Sequence, residues 1–401
     1  MTGSTTPGRP LRRGRTPFGA EHGFTIVEML VATLIMMTVT AGIFTVMNPA
    51  QGMFAAQPEV SDMQQRLRLG VEALNRDLLM AGAGRYAGSA SGSLAQFFAP
   101  ILPYRVGSQN PDPPATFRTD TITLMYVPPT AAQSTISKVK NVNNPNIFIQ
   151  KDPGCHKNDD YCGFEKGMHG ILIDPATGQY DTFVVSDHQG NSETKINIKG
   201  SDLNKSYGVG SYVMQLQTYT YYWDSQNNQL RDYDGYQTDS PVVDNVVGVS
   251  FEYYGDPMPA TLRPQQTPPT TYGPAPPALG VDPADAWPAG ENCTFMVSGG
   301  QQVPRMETLG AANGGLVKLD QSRFQDGPWC PDATWADRFD ADALRIRKIR
   351  VTLRVQVANE AFRGPAGPLF TRGGTSQGGE RYIPDQEIRF DVSPRNLNLG
   401  R

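Results

Sequence analysis

The sequence predicts an α+β protein: one long N-terminal helix, apolar over its first half and amphipathic over its second, packed on a mainly antiparallel β domain. Three observations predict it. Residues 24 to 47 form an apolar run of membrane-spanning length. Beyond it Val60, Met63, Leu67, Val71, Leu74 and Leu78 recur at intervals of three and four, the spacing of one helix face. The rest alternates short strand-like runs with turn residues, and 41 Gly and 33 Pro among 401 residues point to a loop-rich, strand-based body.

Taken in order, residues 1 to 23 are a basic leader carrying Arg9, Arg12, Arg13 and Arg15. By the positive-inside rule that end stays cytoplasmic and everything after Met47 lies across the membrane. The apolar run has one acidic interruption, Glu28. A carboxylate inside a membrane-length helix costs several kcal/mol on insertion scales and therefore marks function. A secretory signal peptide would have a shorter apolar core and a small-residue cleavage site at its far end, and Ala41-Gly42-Ile43 matches that poorly.

Residues 48 to 84 continue the helix. Pro49 and Pro58 predict kinks. Gln64, Arg66, Arg68, Glu72, Arg76 and Asp77 fall between the apolar positions and predict a wet outer face. Ala81-Gly82-Ala83-Gly84 supplies the stop.

Residues 85 to 401 read as the β domain. Strand-like runs lie at 120 to 127, 147 to 150, 170 to 173 and 180 to 186. Residues 211 to 223 and 229 to 233 read as a hairpin around Asp224-Ser225-Gln226-Asn227-Asn228. Further strands are predicted at 246 to 254, 349 to 357 and 387 to 392, the second with strict alternation that requires one buried and one solvated face. Residues 257 to 290 carry ten prolines and predict an extended or disordered surface loop. Residues 360 to 382, rich in Gly and Arg, predict a mobile excursion. No internal repeat is present.

The stretch GFTIVEMLVA at residues 23 to 32 resembles the processing site of type IV prepilins: a small residue before the cut, then Phe, then Glu as the fifth residue of the processed chain. The resemblance implies cleavage by a prepilin peptidase between Gly23 and Phe24, N-methylation of the new Phe24 amine, and pairing of Glu28 with the positive N-terminus of a neighbouring subunit during assembly. Two opposite charges in contact in low dielectric are far less costly than either alone. The segment QQRLRLGVEALNRDLLMAGAG (64 to 84), the hairpin around Asp224, the strand at 245 to 256 and the ending EIRFDVSPRNLNL look like PilW-like minor pilins. The J-type pseudopilins of type II secretion are relatives with the same expected architecture. The likeness covers residues 9 to 84, parts of 120 to 255 and 343 to 398, and none of the Pro-rich insertion. It implies a pilin-like fold and a non-enzymatic structural subunit. The competing reading, a membrane-anchored periplasmic enzyme or binding protein, would require a pocket of convergent polar groups, and the sequence shows no candidate cluster for one. The precursor would be single-pass in a bacterial inner membrane with its β domain periplasmic. Its partners would be the peptidase, other minor and major pilins and an inner-membrane assembly platform.

Net charge is −4, and loss of the leader, with four Arg and one Glu, leaves about −7, so nucleic acid is not an expected partner. The four cysteines all lie in the exported part and fall into two sequence pairs, Cys155 with Cys162 and Cys293 with Cys330. Two disulfides are expected in an oxidising compartment. Catalytic signatures such as G-x-S-x-G, H-E-x-x-H or a phosphate-binding loop are missing from the sequence, and no cofactor is expected.

Three clusters admit sharper readings. Cys155, His156, Asp159, Asp160, Cys162 and His169 can be drawn as a zinc site, but the cysteine spacing is long for a zinc knuckle and a disulfide-closed loop is the simpler use. Asp232, Asp234, Gly235, Asp239 and Asp244 can be drawn as a calcium loop, but lack its alternation and a closing Glu, and a turn after a hairpin explains them equally well. Arg345, Arg347, Lys348, Arg350 and Arg354 can be drawn as a basic stripe for DNA or an acidic partner. On an alternating strand, however, Arg350, Thr352, Arg354 and Gln356 simply occupy the solvated face, and a solvated edge or face explains the cluster better. Tyr219, Tyr221, Tyr222 and Trp223 are read as cross-strand packing rather than a ligand-stacking patch.

Overall fold

The computed structural model describes residues 23–85, 92–107, 112, 115–151, 161–188, 194–198, 203–259, 273, 276–280, 287–331, 338–376 and 382–398. The chain divides into two compact units, Met1–Gln57 and Pro58–Arg401. A single helix, α1 (Ile26–Met80), contributes to both.

In the first unit, Ile26–Met47 is the one stretch among the described residues long and apolar enough to cross a membrane, with a mean hydropathy of 2.1. Its apolar side chains, from Phe24 to Met47, are exposed. The hydroxyls of Thr33, Thr38, Thr40 and Thr45 each donate to a carbonyl three or four residues back. Those bonds leave no hydroxyl hydrogen seeking water along this surface. The helix continues through Pro49 and Pro58, where the sequence suggested kinks. Each proline removes one backbone donor from the helix.

In the second unit the sequence period meets its purpose. Met63, Leu67, Leu74 and Leu78 are buried, Val60 and Val71 are half-buried, and Gln64, Arg68, Glu72 and Arg76 are exposed. Asp77 corrects the predicted wet face, because it is only 1% exposed. Gly70 sits on the buried side, where a Cβ would lie 2.7 Å from Leu353 Cδ2 and 3.3 Å from Val243 Cγ2. Its missing side chain lets the helix backbone approach two sheets at once.

The strands follow in chain order. After β1 (Ile101–Leu102) and β2 (Thr121–Tyr126) come β3 (Gln133–Thr135), β4 (Asn146–Phe148), β5 (His169–Ile173), β6 (Tyr180–His188), β7 (Lys195–Ile198) and β8 (Tyr212–Gln215). Then come β9 (Gln217–Asp224), β10 (Gln229–Tyr233), β11 (Asp239–Asp244) and β12 (Val246–Gly255). The last seven are β13 (Phe295–Ser298), β14 (Gln301–Pro304), β15 (Val317–Leu319), β16 (Trp329–Cys330), β17 (Phe339–Asp340), β18 (Ile346–Val355) and β19 (Gln386–Val392). A five-stranded sheet has the order β1-β2-β9-β10-β11, and a four-stranded sheet the order β15-β12-β18-β19. All pairings are antiparallel. Trp223 Nε1 donates to the Val246 carbonyl at 2.9 Å and Phe251 N–H to Thr119 O at 2.7 Å, joining the two sheets. The chain is therefore α+β, a long helix followed by a mainly antiparallel β domain.

β13 with β14 and β16 with β17 form two two-stranded sheets, and six further strands form a body of their own. Their order is β3-β8-β5-β6-β7-β4. The two ends meet at Ile136 and Ile149, where Ser137 N–H donates to Phe148 O and Gln150 N–H to Thr135 O, both at 2.8 Å. The sheet thus closes into a six-stranded antiparallel barrel. Its interior holds Ile136, Ile147, Ile149, Leu172, Phe183, Val185, Ile196, Ile198 and Val213. Gly170, opposite Phe183, has no side chain to contest the space: a Cβ there would lie 2.2 Å from the Phe183 ring. The barrel is inserted between β2 and β9, which pair directly with Tyr126 opposite Gln217. The predicted single strand over 211 to 223 is accordingly two strands, because β8 belongs to the barrel and β9 to the five-stranded sheet.

Most of the Pro-rich insertion lies outside the described residues, and with it the expectation of an extended or disordered loop. The excursion over 360 to 382 is tied down where it is described, contrary to the predicted mobility. Phe362 and Phe370 are buried, Arg363 donates to the carbonyls of Val357 and Ala358, and Asp385 accepts from Thr371 N–H at 2.7 Å.

Candidate functional site

Residues Gly23, Phe24 and Thr25 precede the first helical residue, Ile26, and are non-helical. Gly23 and Phe24 are exposed, the Phe24 side chain at 87%. Immediately after this junction the helix is capped. Glu28 Oε2 accepts from Thr25 N–H at 2.9 Å and from Thr25 Oγ1 at 2.8 Å, while Thr25 Oγ1 accepts from Glu28 N–H at 3.3 Å. This reciprocal pairing is a capping box, which satisfies two backbone donors that a helix start leaves open. The sequence signal for it was T-x-x-E, which the prediction did not use. Glu28 lies in the first turn of the helix and is exposed.

At the other end, α1 is held by a polar joint that the helical period concealed. Asp77 Oδ2 accepts from Tyr221 Oη at 2.5 Å and Asp77 Oδ1 from Tyr126 Oη at 3.4 Å. Arg76 Nε and Nη2 reach the two oxygens at 2.9 and 3.2 Å. Burial, and then the Asp77 charge, raise both phenols far above the ordinary tyrosine range. These bonds connect the helix to β2 and β9, so the joint fixes the helix against the five-stranded sheet.

The aromatic run divides as packing predicts. Tyr221 is buried against the helix, Tyr222 Oη donates to Asp239 at 2.6 Å, and Trp223 bonds Val246. The calcium reading fails on geometry. Asp234 Oδ1 accepts the N–H groups of Tyr236, Gln237 and Thr238, which makes it the pivot of a turn, and Asp239 is paired with Arg105 and Arg231. Among the zinc candidates, Cys155, His156, Asp159 and Asp160 lie outside the described residues. Cys162 is disulfide-bonded, which takes its sulfur out of consideration as a thiolate ligand. Cys293 and Cys330 form a disulfide across 37 residues. The predicted pairing of Cys162 with Cys155 lies outside the described residues.

The basic stripe also departs from a uniformly solvated face. Arg345 and Arg347 are buried: Arg345 donates to the carbonyls of Asp256, Pro257 and Glu307, and Arg347 to those of Leu344 and Ile346. Lys348 and Arg350 pair with Asp391, and Arg354 with Asp385. Gln356, expected on the solvated side, is buried and bonds Arg372 O. Asp326, Asp340 and Asp342 bring carboxylate oxygens within 4.8 Å of one another, and Arg345 Nε on Asp342 already supplies the cluster with a buried cation.

No family model matches this chain, and neither a curated protein nor a solved structure gives a significant match.

Proposed function

We propose that this chain is a structural, non-enzymatic subunit of a type IV pilus, a PilW-like minor pilin that helps prime or cap the filament. A prepilin peptidase cuts between Gly23 and Phe24 and methylates the freed Phe24 amine. The helix then leaves the membrane and packs among other minor and major pilins on an inner-membrane assembly platform, with Glu28 pairing to a neighbour's terminal amine. The observation that carries the reading is the exposed Gly23-Phe24 junction directly before a capped helix of membrane-spanning length, with Glu28 fifth in the processed chain. The β domain, held by the same helix through Asp77, supplies the surface that meets partners.

The test is intact mass of the membrane-purified protein from cells with and without the peptidase. Loss of residues 1 to 23 with one added methyl, only when the peptidase is present, supports the reading. A full-length chain in both strains sinks it. A J-type pseudopilin would be processed in the same way, and recovery in sheared surface pili separates the two.

A further inference from the structure

The joint between α1 and the five-stranded sheet holds a second acid. Asp232 on β10 stands directly opposite Tyr221 on β9, and directly opposed residues of an antiparallel pair present their side chains to the same face. Tyr221 turns towards the helix to reach Asp77, so Asp232 faces the helix as well. Asp77 is saturated with donors: two phenol hydroxyls and the Arg76 guanidinium, an arrangement that only a carboxylate accepts. Asp232 is the reverse. Its Oδ1 is buried with no hydrogen-bond partner among the described residues. A buried, unsatisfied carboxylate oxygen beside an existing negative charge is costly, and the cost falls away when the group carries a proton.

We propose that this joint is a proton-dependent clasp, in which Asp232 stands as a neutral acid beside the Asp77 carboxylate and its ionisation loosens the last turns of α1 from the sheet. Every element packed here bears on it. From α1 come Asp77 and the mostly exposed Arg76, from β2 Tyr126, and from β9 Tyr219 and Tyr221. Asp234 and Asp239, on the same hairpin as Asp232, add further negative charge. Burial first, and then Asp77 and Asp234, push the Asp232 carboxyl up to about 7, while Arg76 opposes them. With the folded value raised above the ordinary one, the stabilising contribution is complete below the ordinary carboxyl range near 4. It is lost as pH rises to about 7, and flat beyond. The inference is independent of whether the chain enters a filament.

Hydrogen–deuterium exchange on the full chain in detergent micelles tests it, read on peptides covering residues 70 to 80 at pH 5 and pH 7 and corrected for intrinsic rate. Protection in the unmodified protein is expected to fall by up to about tenfold per pH unit. In Asp232→Asn the fall is clearly smaller than in the unmodified protein, and Asp232→Ser serves if the Asn variant does not fold. Equal protection of the unmodified protein at both pH values overturns the proposal, and so does a fall that the neutral variant reproduces.

Discussion

Tyr221 Oη lies 2.5 Å from Asp77 Oδ2, joining the last turn of a 55-residue helix to a strand 144 residues further along the chain. Both side chains are 1% exposed, so the bond is made out of reach of water. A hydrogen bond to a charged group is worth about 1.5–3 kcal/mol. Tyr221→Phe keeps the ring and removes only the donor, so it should lower unfolding stability by that amount in a urea titration. A change within about 0.5 kcal/mol, the range of an ordinary surface substitution, would show that the bond does not hold the joint.

Gly70 sets how close the helix comes. Gly70→Ala should cost about 1–3 kcal/mol, because its methyl group meets Leu353 Cδ2 at 2.7 Å in a packed interior. Helix propensity alone would favour alanine by about 1 kcal/mol, so the two effects have opposite signs and overpacking should win. Leu353→Ala opens space at the same point. In a double-mutant cycle the two changes should be less harmful together than their sum. Strict additivity would place the clash elsewhere.

How much of this was legible follows from what each residue depends on. Met63, Leu67, Leu74 and Leu78 showed themselves because burial on one helix face leaves a local period. β18 showed itself for the matching reason, one face buried and one solvated. Asp77 did not, because its environment is made by Tyr126 and Tyr221, far away in sequence, and a buried Asp spells the same as an exposed one. Arg345 and Arg347 were misplaced likewise, since carbonyl partners leave no trace in composition. The barrel was invisible as a closed body. Its closure rests on Ile136 meeting Ile149 and on β8 turning away from β9, neither of which alters local alternation. The pattern at Gly23, Phe24 and Glu28 is contiguous and so can be read locally, and its role in processing and assembly is the proposal made above.

Asp340 makes stability pH-dependent with a definite sign. Its oxygens accept from Asp342 N–H at 2.9 Å and Gly327 N–H at 2.6 Å, yet burial outweighs both bonds and pushes the carboxyl up to about 7. The folded form therefore holds a proton that the unfolded chain releases near pH 4. Stability should fall as pH rises from about 4 to about 7, by at most about 1.4 kcal/mol per pH unit for this group. Asp391, held down to about 2 chiefly by Arg350, acts in the other window, losing its contribution as pH falls from about 4 towards 2. Urea midpoints between pH 4.5 and 7 should decline for the unmodified protein and decline less for Asp340→Asn. Parallel curves would count against a titrating Asp340.

Glu28 has two tasks in the proposed subunit, and one substitution separates them. Its carboxylate closes the capping box with Thr25, and it carries the charge that would meet a neighbour's amine. Gln also suits that position of a capping box, because its amide oxygen can accept from Thr25 N–H. Glu28→Gln should therefore leave the helix start and the exposed Gly23-Phe24 bond as they are, and cleavage should proceed. Assembly should not, because removing one member of a buried ion pair costs about 3–5 kcal/mol, and about 3 kcal/mol is already roughly a hundredfold in an association constant. The measurement is the fraction of processed Glu28→Gln subunit recovered in sheared filaments, against the unmodified chain. Recovery at the unmodified level would remove Glu28 from the assembly contact and leave it a helix cap alone.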